Sequence, residues 1–153
     1  MMCPLNKEVG VKHKNLKYSI VFSLTDSQLN ELLNLYKEQW WSNHRTIHDT
    51  KTIVKKSDII IGITTKTGQL VGFLRVLTDF VDIAVIYDVI IHKEYQKRGL
   101  GTILINQVKE HPKLQTIRFM DLFCKPEMNA FYQKFGFDIP KTGTNMLRLK
   151  YNG

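Results

Sequence analysis

The sequence predicts an α/β (α+β) domain in which one mixed sheet lies between helices. Three observations carry that prediction. Short β-rich runs alternate with amphipathic helical patterns in the order β-α-α-β-β-β-α-β-α-β. Two of the β-rich runs are joined by Lys66-Thr67-Gly68-Gln69, the composition of a hairpin turn. The stretch from Val89 to Asn106 carries an apolar strand (Val89, Ile90, Ile91) through the hexad Gln96-Lys97-Arg98-Gly99-Leu100-Gly101 into a helix with apolar positions at Leu100, Ile103, Leu104 and Val108.

Each element has its own local reason. Residues 1–16 read as a loose arm, and Tyr18 to Phe22 as the first strand. Thr25 with Gln28 three residues on forms a capping box, and the following helix has a one-sided apolar stripe at Leu29, Leu32, Leu33, Tyr36 and Trp40, ending near Trp40-Trp41. A second, shorter helix runs from about Asp49 to Lys56. Asp58 to Thr64, Leu70 to Leu77 and Ile83 to Ile91 are strands, the last strongly apolar. The helix entered at the glycine hexad should stop at His111-Pro112, because proline disfavours helix in the residue before it. Ile117 to Phe123 is a strand, Met128 to Phe135 a short helix closed by Gly136, and Thr144 to Lys150 a final strand.

Length and composition bound the function. The 153 residues contain no long polar linker, which predicts a single domain spanning 1–153 with a real core. No window has the roughly 18 apolar residues of a membrane span, and the basic start MMCPLNKEVGVKHKN has no apolar core of a secretory signal, so cytoplasmic residence without membrane attachment is expected. Cys3 and Cys124 have neither metal nor redox spacing, and a disulfide is not expected in that compartment. His44 and His48 are four apart but suggest no third ligand, so no metal is expected. The net charge of +8 favours anionic ligands. Because the lysines and arginines are scattered, a phosphate-bearing small molecule explains that charge better than nucleic acid does.

The hexad is where an anion should bind. A strand that turns through glycines into a helix leaves the first helical N–H groups unpaired, and the helix dipole adds to their attraction. Lys97 and Arg98 place two further positive charges beside them. No Gly-x-x-x-x-Gly-Lys-Ser/Thr loop and no three-glycine dinucleotide fingerprint is present.

Gln96-Lys97-Arg98-Gly99-Leu100-Gly101 matches in full the Gln/Arg-x-x-Gly-x-Gly/Ala signature of the GNAT superfamily of acyl-CoA N-acetyltransferases. Phe131-Tyr132-Gln133-Lys134-Phe135-Gly136-Phe137 resembles that family's second signature, and the similarity extends from about Tyr18 to Lys150. The resemblance implies a mixed, mostly antiparallel sheet of six or seven strands flanked by about four helices. It implies acetyl-CoA as cosubstrate, its pyrophosphate on the turn amides of Lys97, Arg98, Gly99, Leu100, Gly101 and Thr102, with Gln96 in the same motif. Backbone groups of Val89, Ile90 and Ile91 would hold the pantetheine arm, one N–H polarising the thioester carbonyl.

Tyr132 resembles the family's general acid, which protonates the departing thiolate. For the general base, Asp88 is preferred, with Asp121 as its rival and a purely structural role open for both. The sequence departs from the family pattern at Lys125, seven residues before the tyrosine, where many relatives have a cofactor-contacting asparagine. The acceptor should be shaped by the first two helices and the loop Trp40-Trp41-Ser42-Asn43-His44-Arg45, with one tryptophan in the core and the other free. The implied activity is acetyl transfer to a primary amine of a small molecule by direct attack in a ternary complex. Acetylation of a protein N-terminus or lysine, and an acyl-CoA sensor without turnover, are the alternatives. Relatives often dimerise, which leaves a homodimer open.

Overall fold

The computed structural model describes residues 17–143 and 146–151. Five strands form one sheet in sequential order, β1 (Tyr18–Val21), β2 (Ile59–Thr65), β3 (Leu70–Thr78), β4 (Ile83–Ile91) and β5 (Phe119–Leu122). The first three pairings are antiparallel, and β4 with β5 is parallel. Four helices flank them, α1 (Asp26–Lys37), α2 (Ile47–Lys56), α3 (Leu100–Lys109) and α4 (Asn129–Gln133). Among the described residues, no helix is long and apolar enough to cross a membrane.

The apolar pattern explains why both faces of the sheet are covered. On one face α1 packs Leu32, Leu35 and Tyr36 against Ile60, Leu70, Phe73 and Ile90. On the other, α3 packs Leu100, Leu104, Ile105 and Val108 against Ile59, Ile61, Ile63, Leu74 and Val76. Alternate residues of β2 therefore serve opposite cores, which is why the run Ile59-Ile60-Ile61 is continuously apolar.

Local capping fixes the helix starts. Thr25 and Gln28 cap α1 reciprocally, and Thr46 does the same with Asp49 for α2. The second box starts α2 at Ile47, two residues before the sequence pattern placed it. Helix α1 stops at Lys37 rather than at the tryptophans, because Ser42 folds back to donate its hydroxyl to the Tyr36 carbonyl at 2.9 Å. Helix α4 is shorter than expected. A 3-10 turn at Pro126–Met128 precedes it, and Gly136 in the left-handed conformation (φ 91°) closes it.

The final strand expected at Thr144 to Lys150 is not found. Met146–Lys150 carries no strand, while Thr144 and Asn145 fall outside the described residues. Its alternation of Leu147 and Leu149 with Arg148 and Lys150 could hold a strand only against a ladder partner. The segment is not laid on the short β5, so Leu147 and Leu149 are exposed. The sheet accordingly has five described strands where six or seven were expected. The arm at 1–16, including Cys3, is also outside the described residues, and Cys124 is free.

The register of β3 against β4 is broken at one place. Phe73 pairs with Ile90 and Arg75 with Tyr87, so Leu74 alone faces Asp88 and Val89. This is a β-bulge, and Asp88 occupies it with φ 57°, a conformation that a non-glycine residue seldom adopts. The bulge also shifts the side-chain phase. Ala84 and Ile86 belong to the α3 core before it, Val89 and Ile91 pack there after it, and Asp88 is left on the α1 face.

Core position and edge position should separate sharply in stability. Phe73, fully buried against Tyr36, should cost about 3–5 kcal/mol on Phe73→Ala, whereas exposed Phe119 should cost under about 1 kcal/mol on Phe119→Ala, both read by urea unfolding.

Candidate functional site

The site is set by where β4 and β5 part. They pair from Ile83–Ile86 to Phe119–Leu122, and from Tyr87 onward β4 has no neighbour on that side among the described residues. Val89, Ile90 and Ile91 thus line the opening, with their other edge still paired to Gly72 and Phe73 through Ile91 and Ile90. Rings of Tyr87 and Phe123 face each other across the start of the split, 6.3 Å between centroids.

At the far end of β4 the chain turns through a 3-10 turn (Lys93–Tyr95) into the glycine hexad. Gln96 braces this turn by donating its side-chain amide to the Ile91 carbonyl at 3.2 Å. Lys97 (φ 59°) and Gly99 (φ 79°) both take left-handed backbone, and Gly99 caps α3 without any side-chain hydrogen bond. The first α3 amide with a capping-carbonyl partner is that of Ile103, bonded to Gly99 at 3.1 Å. The amides of Leu100, Gly101 and Thr102 therefore precede the helical ladder, as the anion-site argument requires. A Cβ on Gly99 would meet nothing within 4 Å, so the space in front of the turn is open. Arg98 stands with its guanidinium 5.1 Å from the Tyr95 ring, and Lys97 and Arg98 both flank the turn.

Gly101 has a different reason. A Cβ there would come within 3.2 Å of Phe131 Cζ, so the missing side chain lets α4 approach α3 closely. The two sequence signatures are therefore in direct contact. Tyr132, next to Phe131, is buried, and lines a cavity of about 1040 Å³ with Asp121, Leu122, Cys124 and Asn129. Among the described residues its hydroxyl has no hydrogen-bond partner. Burial, and then the neighbouring Cys124, push the phenol up to about 12. It keeps its proton throughout the neutral range.

Asp88 and Asp121 stand in opposite situations. Asp88 is inside, its side chain 4% exposed, and its Oδ2 accepts from Tyr36 Oη (2.8 Å), Arg45 Nη1 (2.9 Å) and Arg75 Nε (2.6 Å). Arg45 Nη2 reaches Oδ1 at 3.4 Å. Three donors thus converge on Oδ2, while Oδ1 has only the long Arg45 contact among the described residues. Tyr36 remains a neutral phenol, raised far above the ordinary tyrosine range by burial and then by the Asp88 charge. Asp121 is exposed on the wall of the Tyr132 cavity, and its side chain has no hydrogen bond or ion pair among the described residues.

The loop after α1 divides its tryptophans. Trp41 packs edge-to-face on Tyr36, 6.3 Å between centroids, and lies 5.5 Å from the Arg45 guanidinium. Trp40 is 70% exposed, and the Lys125 ammonium stands 5.6 Å from its ring. Lys125, at the position where the family pattern has an asparagine, thus connects the α1 end to the segment after β5. Nothing in the sequence spacing pointed to Arg45 and Arg75, which converge on Asp88 only through the fold. His44 and His48 border a shallow cavity with Arg45 and Asp49, and among the described residues no three His, Cys, Asp or Glu side chains come together as metal ligands.

The model of the acetyltransferase (GNAT) family matches residues 27–137. An uncharacterised N-acetyltransferase ycf52 of Pyropia yezoensis is 33% identical over 141 residues, covering 81% of each chain. A ycf52-like relative from Prochlorococcus marinus is 35% identical over 133 residues, covering 84% of this chain and 73% of its own. Among solved structures, a GNAT-family protein from Xanthomonas campestris superposes with a TM-score of 0.73 at 24% identity, over 87% of this chain and 94% of that one. Glucosamine-6-phosphate N-acetyltransferase of Arabidopsis thaliana shares the fold at a TM-score of 0.67 and 18% identity, over 88% of this chain and 97% of that one. With the family model covering most of its length and relatives of this similarity, the chain belongs to the GNAT acetyltransferase family.

Proposed function

We propose that this protein transfers an acetyl group from acetyl-CoA to a primary amine of a small molecule, by direct attack in a ternary complex. The observation that carries the reading is the junction of the two signatures. The open glycine turn begins α3, and Gly101 of that turn packs on Phe131, the neighbour of Tyr132. An elongated cosubstrate lying along Val89–Ile91 would have its pyrophosphate at the amides of Lys97 to Thr102 and its sulfur toward Tyr132.

The chemistry then balances simply. The neutral amine nitrogen attacks the thioester carbonyl carbon, and a β4 N–H in the split takes the developing oxyanion. The carbon–sulfur bond breaks, the electron pair leaves on sulfur, and the Tyr132 proton passes to that thiolate. The acceptor must lose a proton as it attacks. Asp88 Oδ2 already accepts from three donors, whereas the Asp121 side chain, on the Tyr132 cavity, has no hydrogen bond or ion pair among the described residues, and Asp121 is our choice for that role. The exposed Trp40 with Tyr87 and Phe123 offers aromatic faces on which an amine can rest as it approaches.

Release of CoA, read with a thiol reagent across a panel of amines, tests the reading. Turnover with a small primary amine is expected; tight acetyl-CoA binding without release from any amine would favour the sensor, and release only with peptides would favour protein acetylation. Tyr132→Phe should lower kcat by about tenfold or more while acetyl-CoA still binds. Asp121→Asn should lower kcat/KM by at least about tenfold, and unchanged kinetics would remove it as the base. Gly99→Val puts a side chain into the open space at a left-handed position, and acetyl-CoA should bind about tenfold or more weakly in titration calorimetry.

A further inference from the structure

The Asp88 cluster joins four parts of the chain. Tyr36 comes from α1, Arg45 from the loop before α2, Arg75 from β3, and Asp88 from the bulge of β4. The arginine side chains are 14% and 13% exposed, so neither pair is a solvent-screened surface bridge. Each guanidinium also stacks on an aromatic ring. Arg45 lies 4.3 Å from the Tyr36 centroid and 5.5 Å from that of Trp41, while Arg75 lies 4.9 Å from that of Tyr87.

We propose that Asp88 is a positioning residue: by holding Arg45 and Arg75 at the β4 bulge, it sets the acceptor-side loop and the donor-side strand in a single geometry. On the donor side, the carboxylate fixes the left-handed bulge backbone, and with it the direction of the amides that follow at Val89–Ile91. Acting through Arg45, it holds the loop 38–46, whose Trp41 packs beneath that guanidinium and whose Trp40 stands beside Lys125. Arg75 carries the same constraint to Tyr87 and from there to Phe123, across the opening of the split. Two guanidinium groups share one carboxylate, so loss of that charge leaves two neighbouring buried cations in mutual repulsion. The loop and the strand should then loosen together.

The kinetic part of this inference rests on the acetyl-transfer reading, whereas its structural part does not. Amide hydrogen exchange on the protein without ligand reads the structural part. Asp88→Asn, of nearly the same shape, should speed exchange in both 38–46 and 87–91 by about tenfold. Arg45→Lys should speed exchange at 87–91 although the altered residue lies in the loop, and Tyr36→Phe should act likewise. These two milder variants decide the matter if Asp88→Asn does not fold. In kinetics, Asp88→Asn should raise the amine KM and lower kcat while the rate keeps its fall at acid pH. Adding Arg45→Lys to it should bring little further loss, because both act through one contact. Unchanged exchange in both segments, with the acid fall of the rate abolished, would make Asp88 the base and overturn the proposal. Faster exchange at 87–91 alone, with the loop unchanged in every variant, would overturn it too. If the wild-type protein turns over no amine, the functional reading fails, and the exchange pattern still judges the positioning role.

Discussion

One carboxylate in an unfavourable backbone conformation underlies the geometry of this fold. Asp88 sits at φ 57° in the bulge of β4, where a regular strand would have carried it to the apolar α3 face. Left-handed backbone costs a non-glycine residue on the order of 1–2 kcal/mol. Burying its charge unpaired would cost far more. The three donors from Tyr36, Arg45 and Arg75 on the α1 face offset both costs, and they do so only if the strand bulges. The bulge in turn shifts the phase of β4, so that Val89 and Ile91 meet the α3 core while their backbone edge faces the split. The polar cluster and the opening of the sheet are two sides of one compromise.

The remaining parts are arranged around that opening. Beyond Ile86 the strand has no parallel neighbour among the described residues, which leaves main-chain groups open along a path from Tyr87 to the glycine turn. At one end of the path are the unpaired amides that start α3. At the other is a phenol that burial keeps protonated. Gly101 packs closely on Phe131, since a Cβ at 101 would come within 3.2 Å of the Phe131 ring and make it give way. In the proposed reaction, binding and proton transfer would both depend on this contact between two short sequence signatures.

Most of this was legible in the sequence where local chemistry decides structure. The Thr25–Gln28 box, the 66–69 turn, the boundaries of β4 and the hexad all follow from short-range rules, and each is found. The family resemblance pointed to the same donor segment. Legibility failed where structure depends on distant partners. The Thr144–Lys150 pattern reads as a strand, but alternation does not supply a neighbour. The surroundings of Asp88 were not legible either, because they are made by Arg45 and Arg75, 43 and 13 residues away in the chain. The end of α1 was misplaced because the Ser42 hydroxyl, a tertiary partner in effect, takes the Tyr36 carbonyl.

The central claim is that acetyl-CoA lies in the β4–β5 split with its pyrophosphate on the glycine turn. Amide chemical shifts followed during titration with acetyl-CoA test it most directly. The account predicts that the largest perturbations fall on residues 97–102 and 89–91, with a smaller set around Tyr132. Perturbations confined to the shallow cavity of His44, Arg45 and His48, or spread over the lysine-bearing surface without saturation, would contradict it.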